Sequence, residues 1–242
     1  MARNEQGLYN IDRSLKENVS AYYKKAFELD KNISIIEEWA MFLGKFTDKS
    51  AIKNNKDKAY LNMKFQEVYV ELNNEVKAKE HLKLGLDLYK KSAMQEDDAK
   101  KKMRLYARIA EIYKDENQTD SAIEYYKKAI EIKADDVLWR KKYYYVDLAK
   151  IYEEKKEYAL AAENYKKAIA IVKKNKYKIV RKNKYKAVYH YRIADNYKAL
   201  EDYKQALYHA RKSLVQAPSN TVLKEDAMEL IADMKRLKNA RK

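Results

Sequence analysis

The sequence predicts an all-α array of helical repeats, and three observations carry that reading. Ala122, Tyr126 and Ala129 recur at a constant offset as Ala161, Tyr165 and Ala168. Each triplet follows an Ala-x-x-Tyr pair, Ala110/Tyr113 and Ala149/Tyr152. With only 3 Gly and 1 Pro in 242 residues, hairpins and glycine loops are disfavoured, and long helices joined by short polar turns remain. Small residues let two helices cross closely, a large aromatic fills the adjoining gap, and stacked copies bury one continuous core.

Taken in order, residues 1–58 read as a divergent N-terminal helical segment. Within it, Ser20 to Asp30 looks like the second helix of a repeat, with Tyr23 and Ala26 at the aromatic and small positions. Another helix begins in Trp39–Phe46, and Thr47–Lys58 is polar and irregular. Four helix pairs are predicted next, over 59–92, 103–136, 142–175 and 187–220. The first has Phe65, Gln66 and Tyr69 on one helix and Ala78, Leu82, Gly85 and Leu86 on the other. The second has Tyr106, Ile109, Ala110 and Tyr113, then Ala122, Tyr126, Ala129 and Ile130. The third has Tyr145, Leu148, Ala149 and Tyr152, then Ala161, Tyr165, Ala168 and Ile169. The fourth has His190, Ile193, Ala194 and Tyr197, then Ala206, Ala210, Ser213 and Leu214, ending at Pro218. Asn220 or Thr221 can cap a final helix in 221–242, whose stripe of Leu223, Ala227, Leu230, Ile231 and Met234 would cover the last repeat.

These residues resemble the tetratricopeptide repeat: a small residue and a Tyr three apart, an Ala, an aromatic four later, another Ala three beyond, and a terminal Pro. The resemblance covers roughly 59–220 and is strongest from Arg104 to Ala217. The first copy departs from it at Gln66 and Gly85. It implies a right-handed α-solenoid of antiparallel helix pairs that binds peptides on its concave face. On that face the register places Lys64, Arg104, Arg108, Tyr143, Lys150, Tyr191 and Arg192, interleaved with Glu67, Glu111, Asp147 and Asp195. One subclass clamps a chaperone's carboxylate tail with Lys, Asn and Arg at fixed first-helix positions. Here those positions hold Met63, Glu67, Arg108, Tyr143 and Asp147, or, one repeat later, Ala107, Glu111, Asp147, Val188 and Arg192. Neither set fits.

Within each copy the small residue of the first helix precedes the Ala of the second by 12 residues. Between copies the intervals are 25 (85 to 110), 20 (129 to 149) and 26 (168 to 194), where a regular repeat gives about 15. The extra residues contain no Gly or Pro, so they are predicted to lengthen each second helix and the following first helix into antiparallel arms. These would project about 1.5 Å per residue.

One such arm carries half of the net charge of +16. Lys173, Lys174, Lys176, Lys178, Arg181, Lys182, Lys184 and Lys186 form a basic patch with no acid among them, and Tyr177 and Tyr185 are interleaved. The tail Lys235–Lys242 adds five more cations, which leaves the repeat body nearly balanced. The arm reads first as a solvated helix extension, and second as a contact for nucleic acid or another anionic surface.

No catalytic constellation emerges. Cysteine is absent, which removes thiolate chemistry and Cys-based metal sites. His81, His190 and His209 are far apart in the register and read as packed or surface histidines, and no HExxH, GxSxG or phosphate loop is present. The chain is therefore expected to be a non-enzymatic scaffold, without cofactor or metal, whose partner is another protein or a peptide segment. The alternative is a peptide-sensing or nucleic-acid-associated regulator that uses 173–186. No apolar run approaches the roughly 18 residues that span a bilayer, so the chain reads as cytoplasmic, with export as the alternative if a targeting segment has been removed.

Overall fold

The structure is a computed structural model that describes residues 20–45, 49, 52–133, 138–174, 179–217 and 222–240, all of their regular elements being helical. The chain divides into two compact units, Met1–Glu96 and Asp97–Lys242. The first described helix, α1, covers 20–30. The others are α2 (Ile33–Gly44), α3 (Asn55–Glu71), α4 (Glu75–Gln95), α5 (Ala99–Asp115), α6 (Thr119–Glu131), α7 (Leu138–Glu154), α8 (Tyr158–Lys174), α9 (Ile179–Ala199), α10 (Tyr203–Gln216) and α11 (Val222–Ala240).

Unit 1 is built around Trp39. That ring is fully buried with Ile36, Ala40, Val68, Tyr69 and Ala78, and Tyr23 and Phe27 close over the cluster. The indole Nε1 donates to Ser20 Oγ at 3.1 Å, so its one polar atom is satisfied. The polar stretch before residue 59 is partly helical. Asn54 accepts from the Asp57 N–H and starts α3 at Asn55, because a short acceptor side chain satisfies a donor that the first turn leaves unpaired. Gly85 marks the closest approach of α4 to α3. A Cβ built there would lie 2.0 Å from Met63 Cε and 3.2 Å from the Ala59 carbonyl oxygen. The departure from Ala at this position is thus matched by a larger neighbour.

Unit 2 contains three helix pairs, α5/α6, α7/α8 and α9/α10, and α11. The alanines predicted at helix crossings, Ala110, Ala122, Ala129, Ala149, Ala161, Ala168, Ala194, Ala206 and Ala210, are completely buried. Tyr126 and Tyr165 fill the gaps beside them. Where the fourth copy has Ser213, its hydroxyl donates to the Ala187 carbonyl at 2.8 Å, which removes the cost of burying it. Ala227, Leu230 and Met234 seat α11 on the last pair. Pro218, Asn220 and Thr221 lie outside the described residues.

One feature of all four pairs left no glycine in the sequence to reveal it. The residue seven places beyond the first-helix small position, namely Asn73, Asn117, Lys156 or Glu201, has a φ between 54° and 60°. In each turn the next N–H donates to the carbonyl five residues back: Asn74 to Tyr69, Gln118 to Tyr113, Glu157 to Tyr152, and Asp202 to Tyr197. This is the left-handed helix C-terminus that satisfies free carbonyls, adopted without Gly. The first helices in each unit are thereby closed by the same turn.

The predicted arms are corrected in part. The long intervals are absorbed helically in α4, with 21 residues against 13 for α6, and in α9, with 21 against 17 for α5 and α7. The middle interval is not. There α6 stops at Glu131, Ile132 turns to extended ψ, and α7 begins only at Leu138. Ile132 is β-branched and a weaker helix former than the straight-chain residues before it; residues 134–137 lie outside the described residues.

Candidate functional site

Because packing rows fix the orientation of α5, α7 and α9, the residues between those rows form one outward face of unit 2. Arg104, Lys150 and Arg192 are exposed on it. Arg108 pairs with Glu111 at 3.2 Å, one turn away. Asp147 lies half-buried beside them, and burial pushes its carboxyl above the usual range; Lys114 and Lys150 oppose that shift and Glu111 adds to it. Tyr126 points its unpartnered, buried hydroxyl toward the same group of acids. Its pKa is raised by burial first, then by Asp147, Glu111 and Asp115. The face thus alternates in sign over short distances.

At its α9 end the face opens into a cleft of about 520 Å³, lined by Glu153, Arg192, Asp195, Lys198, Tyr203 and Leu237 among others. Two of its charges are engaged. Glu153 accepts from Asn196 Nδ2 at 2.7 Å and from the Tyr165 hydroxyl at 3.2 Å, which ties α7 to α8 and α9. Lys198 pairs with Asp233 of α11 at 3.0 Å. The side chains of Arg192 and Asp195 make no hydrogen bond or ion pair among the described residues. Among the described residues the cleft therefore offers a cation and an anion that make no hydrogen bond or ion pair, with Tyr203 and Leu237 beside them.

Other sequence-predicted residues are placed differently. Lys64 belongs to unit 1, where its ammonium lies over Tyr60 and pairs with Glu67 at 2.5 Å. Tyr191 packs against the Ala194, Ala206, Ala210, Leu230 and Met234 cluster, so α11 uses much of its ring. Tyr143 is 42% exposed and sets its ring edge-on to Trp139. Of the basic patch, Lys176 and Lys178 lie outside the described residues, as do the side chains of Lys173, Lys174, Arg181 and Lys182. Lys184 is exposed and Lys186 half-exposed on α9.

The histidines take packing roles. His81 stacks on Phe65 and Tyr69 and reaches Asn62 Oδ1 at 2.8 Å. His190 and His209 face each other in the α9/α10 interior. Among the described residues no group of three His, Asp or Glu side chains is arranged to hold a metal, and no helix is long and apolar enough to cross a membrane. Sequence reasoning missed Glu153, Asn196, Trp139, Arg140 and Lys142. Trp139 and Arg140 begin α7 before the predicted repeat and Lys142 is its first residue, and only the Trp-Arg-Lys-Lys run itself could have marked them.

Comparison with known proteins agrees with this architecture. Residues 104–136 and 143–175, the α5/α6 and α7/α8 pairs, match the tetratricopeptide repeat family. No curated protein matches the chain. A kinesin-light-chain-type protein of nearly identical TPR-like repeats from Podosopora anserina has a similar structure, with a TM-score of 0.52 and 14% identity, covering 84% of this chain and 93% of that one. A variant of it gives 0.50 and 14%, covering 92% and 96%. BtubC from P. vanneervenii gives 0.49 and 12%, covering 94% and 90%. At 14% identity the likeness to the Podosopora anserina protein concerns the fold.

Proposed function

We propose that this chain, whose residues 104–136 and 143–175 match the tetratricopeptide repeat family, works as a non-enzymatic scaffold that holds a segment of another protein on the α5, α7 and α9 face. The observation that carries this reading is the cleft beside α9. Among the described residues Arg192 and Asp195 have no hydrogen-bond or ion-pair partner there, while the neighbouring Glu153 and Lys198 are spent on holding the helices together. A segment with opposite charges in sequence can satisfy both, and Tyr203 and Leu237 supply apolar contact. Arg104, Arg108 and Lys150 extend the same face toward α5 and give a partner several anchoring points.

The test is affinity capture from the native source with the parent and with Arg104→Glu/Lys150→Glu/Arg192→Glu. All three positions are solvent-facing, so the variant should melt as the parent does. The proposal expects a specific protein to be retained by the parent and lost, at least roughly tenfold, by the variant; each reversed contact is worth about 1–2 kcal/mol at such an interface. Equal retention by both would overturn it.

A further inference from the structure

Lys142, on the first turns of α7, is only 9% exposed and has no carboxylate against it among the described residues. Its ammonium instead lies 4.5 Å from the ring centre of Tyr143 and 4.2 Å from that of Tyr185 on α9. A buried lysine held only by ring faces is costly unless those contacts are close. Its effect is to pin the two tyrosines. Trp139 meets Tyr143 edge-on at 6.2 Å, and the Arg140 guanidinium sits 4.6 Å from the Trp139 ring with its Nε buried and lacking an acceptor. From Tyr185 the series continues inward to Tyr189 and Tyr165, with centroids 6.2 and 6.0 Å apart and ring planes within 27°. The result is a braced aromatic cluster.

The outer members of that cluster stay in solvent: Trp139 is 38%, Tyr143 42% and Tyr185 37% exposed. Cations surround them. No acidic residue occurs in Leu138–Val146 or in Ile179–Tyr191, whereas Arg140, Lys141, Lys142, Lys184 and Lys186 do. Asp147 is the first acid below Tyr143 on α7. We propose that this α7/α9 surface binds single-stranded nucleic acid, with bases stacking on Trp139, Tyr143 and Tyr185 and phosphates held by Arg140, Lys184 and Lys186. This goes beyond the scaffold reading, and it uses a surface at the opposite end of α9 from the Arg192/Asp195 cleft. Stacking on exposed rings requires unpaired bases, since a duplex hides its base faces, and rings fixed in advance avoid the ordering cost of binding. An acidic protein segment would answer the cations and leave three exposed rings without a role.

The test uses a short fluorescein-labelled oligo(dT) and the full chain, with anisotropy read over a series of salt concentrations and tryptophan emission followed in parallel. Expected are salt-dependent binding and quenching of tryptophan emission that disappears in Trp139→Phe, because the chain's other tryptophan, Trp39, is fully buried. Tyr143→Leu/Tyr185→Leu should weaken binding at least about tenfold, as stacking is worth 1–3 kcal/mol per base. Lys184→Ser/Lys186→Ser, which removes one exposed and one half-exposed ammonium, should flatten the log–log salt slope by about 1.4, for two phosphate contacts at about 0.7 each on a single strand. Absence of binding at low salt overturns the proposal. So does binding without quenching that polyglutamate displaces as readily as oligo(dT), which would assign the surface to an acidic protein.

Discussion

His190 Nδ1 and His209 Nδ1 lie 2.9 Å apart in the buried interior between α9 and α10. A contact of that length between two ring nitrogens needs one proton between them, one ring donating and the other accepting. Protonating the acceptor turns an attraction into a clash. Burial lowers the pKa of His209 from 6.5 to about 4, with Lys166 and Lys212 pushing in the same direction.

Stability should therefore fall with acidification in a defined window. Between about pH 6.5 and 4 the unfolded chain binds a proton at His209 that the folded chain refuses, so stability is complete above 6.5 and is lost at up to about 1.4 kcal/mol per pH unit below it. Asp147, whose pKa is raised by burial, contributes an opposite slope, so the comparison is made with His209→Gln. Urea midpoints measured near pH 7 and near pH 5 should drop further for the parent than for the variant. Equal drops would count against this assignment.

Ala149 and Ala168 are fully buried at the α7 and α8 crossings of the third pair. Either Ala→Leu change forces extra volume into a packed interface and should cost about 1–3 kcal/mol. Denaturant melts with an unchanged midpoint for both would show that the packing register is wrong.

Glu201 is exposed and sits at φ 60° in the turn between α9 and α10. A non-glycine residue there is strained by about 1–2 kcal/mol, partly offset in a Gly variant by the added freedom of the unfolded chain. Glu201→Gly should stabilise unit 2 by up to about 1 kcal/mol, and Lys156→Gly should behave alike. Two destabilised variants would contradict the turn assignment.

Asn196 is almost completely buried and joins α9 to Glu153 of α7. Removing it in Asn196→Ala leaves a half-buried carboxylate short of a donor, so a loss of about 1–3 kcal/mol is expected. Glu153→Gln retains acceptor capacity and should cost less. A reversed order of the two variants would show that the bond does not hold the repeats together.

What was legible in the sequence is what periodicity encodes. The alanines at crossings and the aromatic at each gap follow from a strict spacing, because a slip of one residue would rotate a helix face out of the core. The repeating turn was not legible, since its left-handed residue is Asn, Lys or Glu and carries no fixed identity. Neither was the end of α6 at Glu131, where no Gly or Pro marks the stop at Ile132. At the candidate site, Arg104, Lys150 and Arg192 could be placed from the register alone. Tyr191 could not, because its burial depends on α11, an element outside the repeat. That Arg192 and Asp195 make no ion pair among the described residues likewise becomes visible only once Glu153 and Lys198 are seen bonded to Asn196 and Asp233.

The most direct test of partner binding on the first-helix face is a labelling footprint of the chain alone and in complex with its captured protein. Carboxyl labelling reads Asp195 and radical oxidation reads Leu237, both lining the cleft, while Tyr208 and Val215 on the outer side of α10 serve as controls. The account predicts that modification of Asp195 and Leu237 falls several-fold in the complex and that Tyr208 and Val215 stay as reactive as before. Protection of Tyr208 and Val215, with Asp195 and Leu237 unchanged, would contradict it.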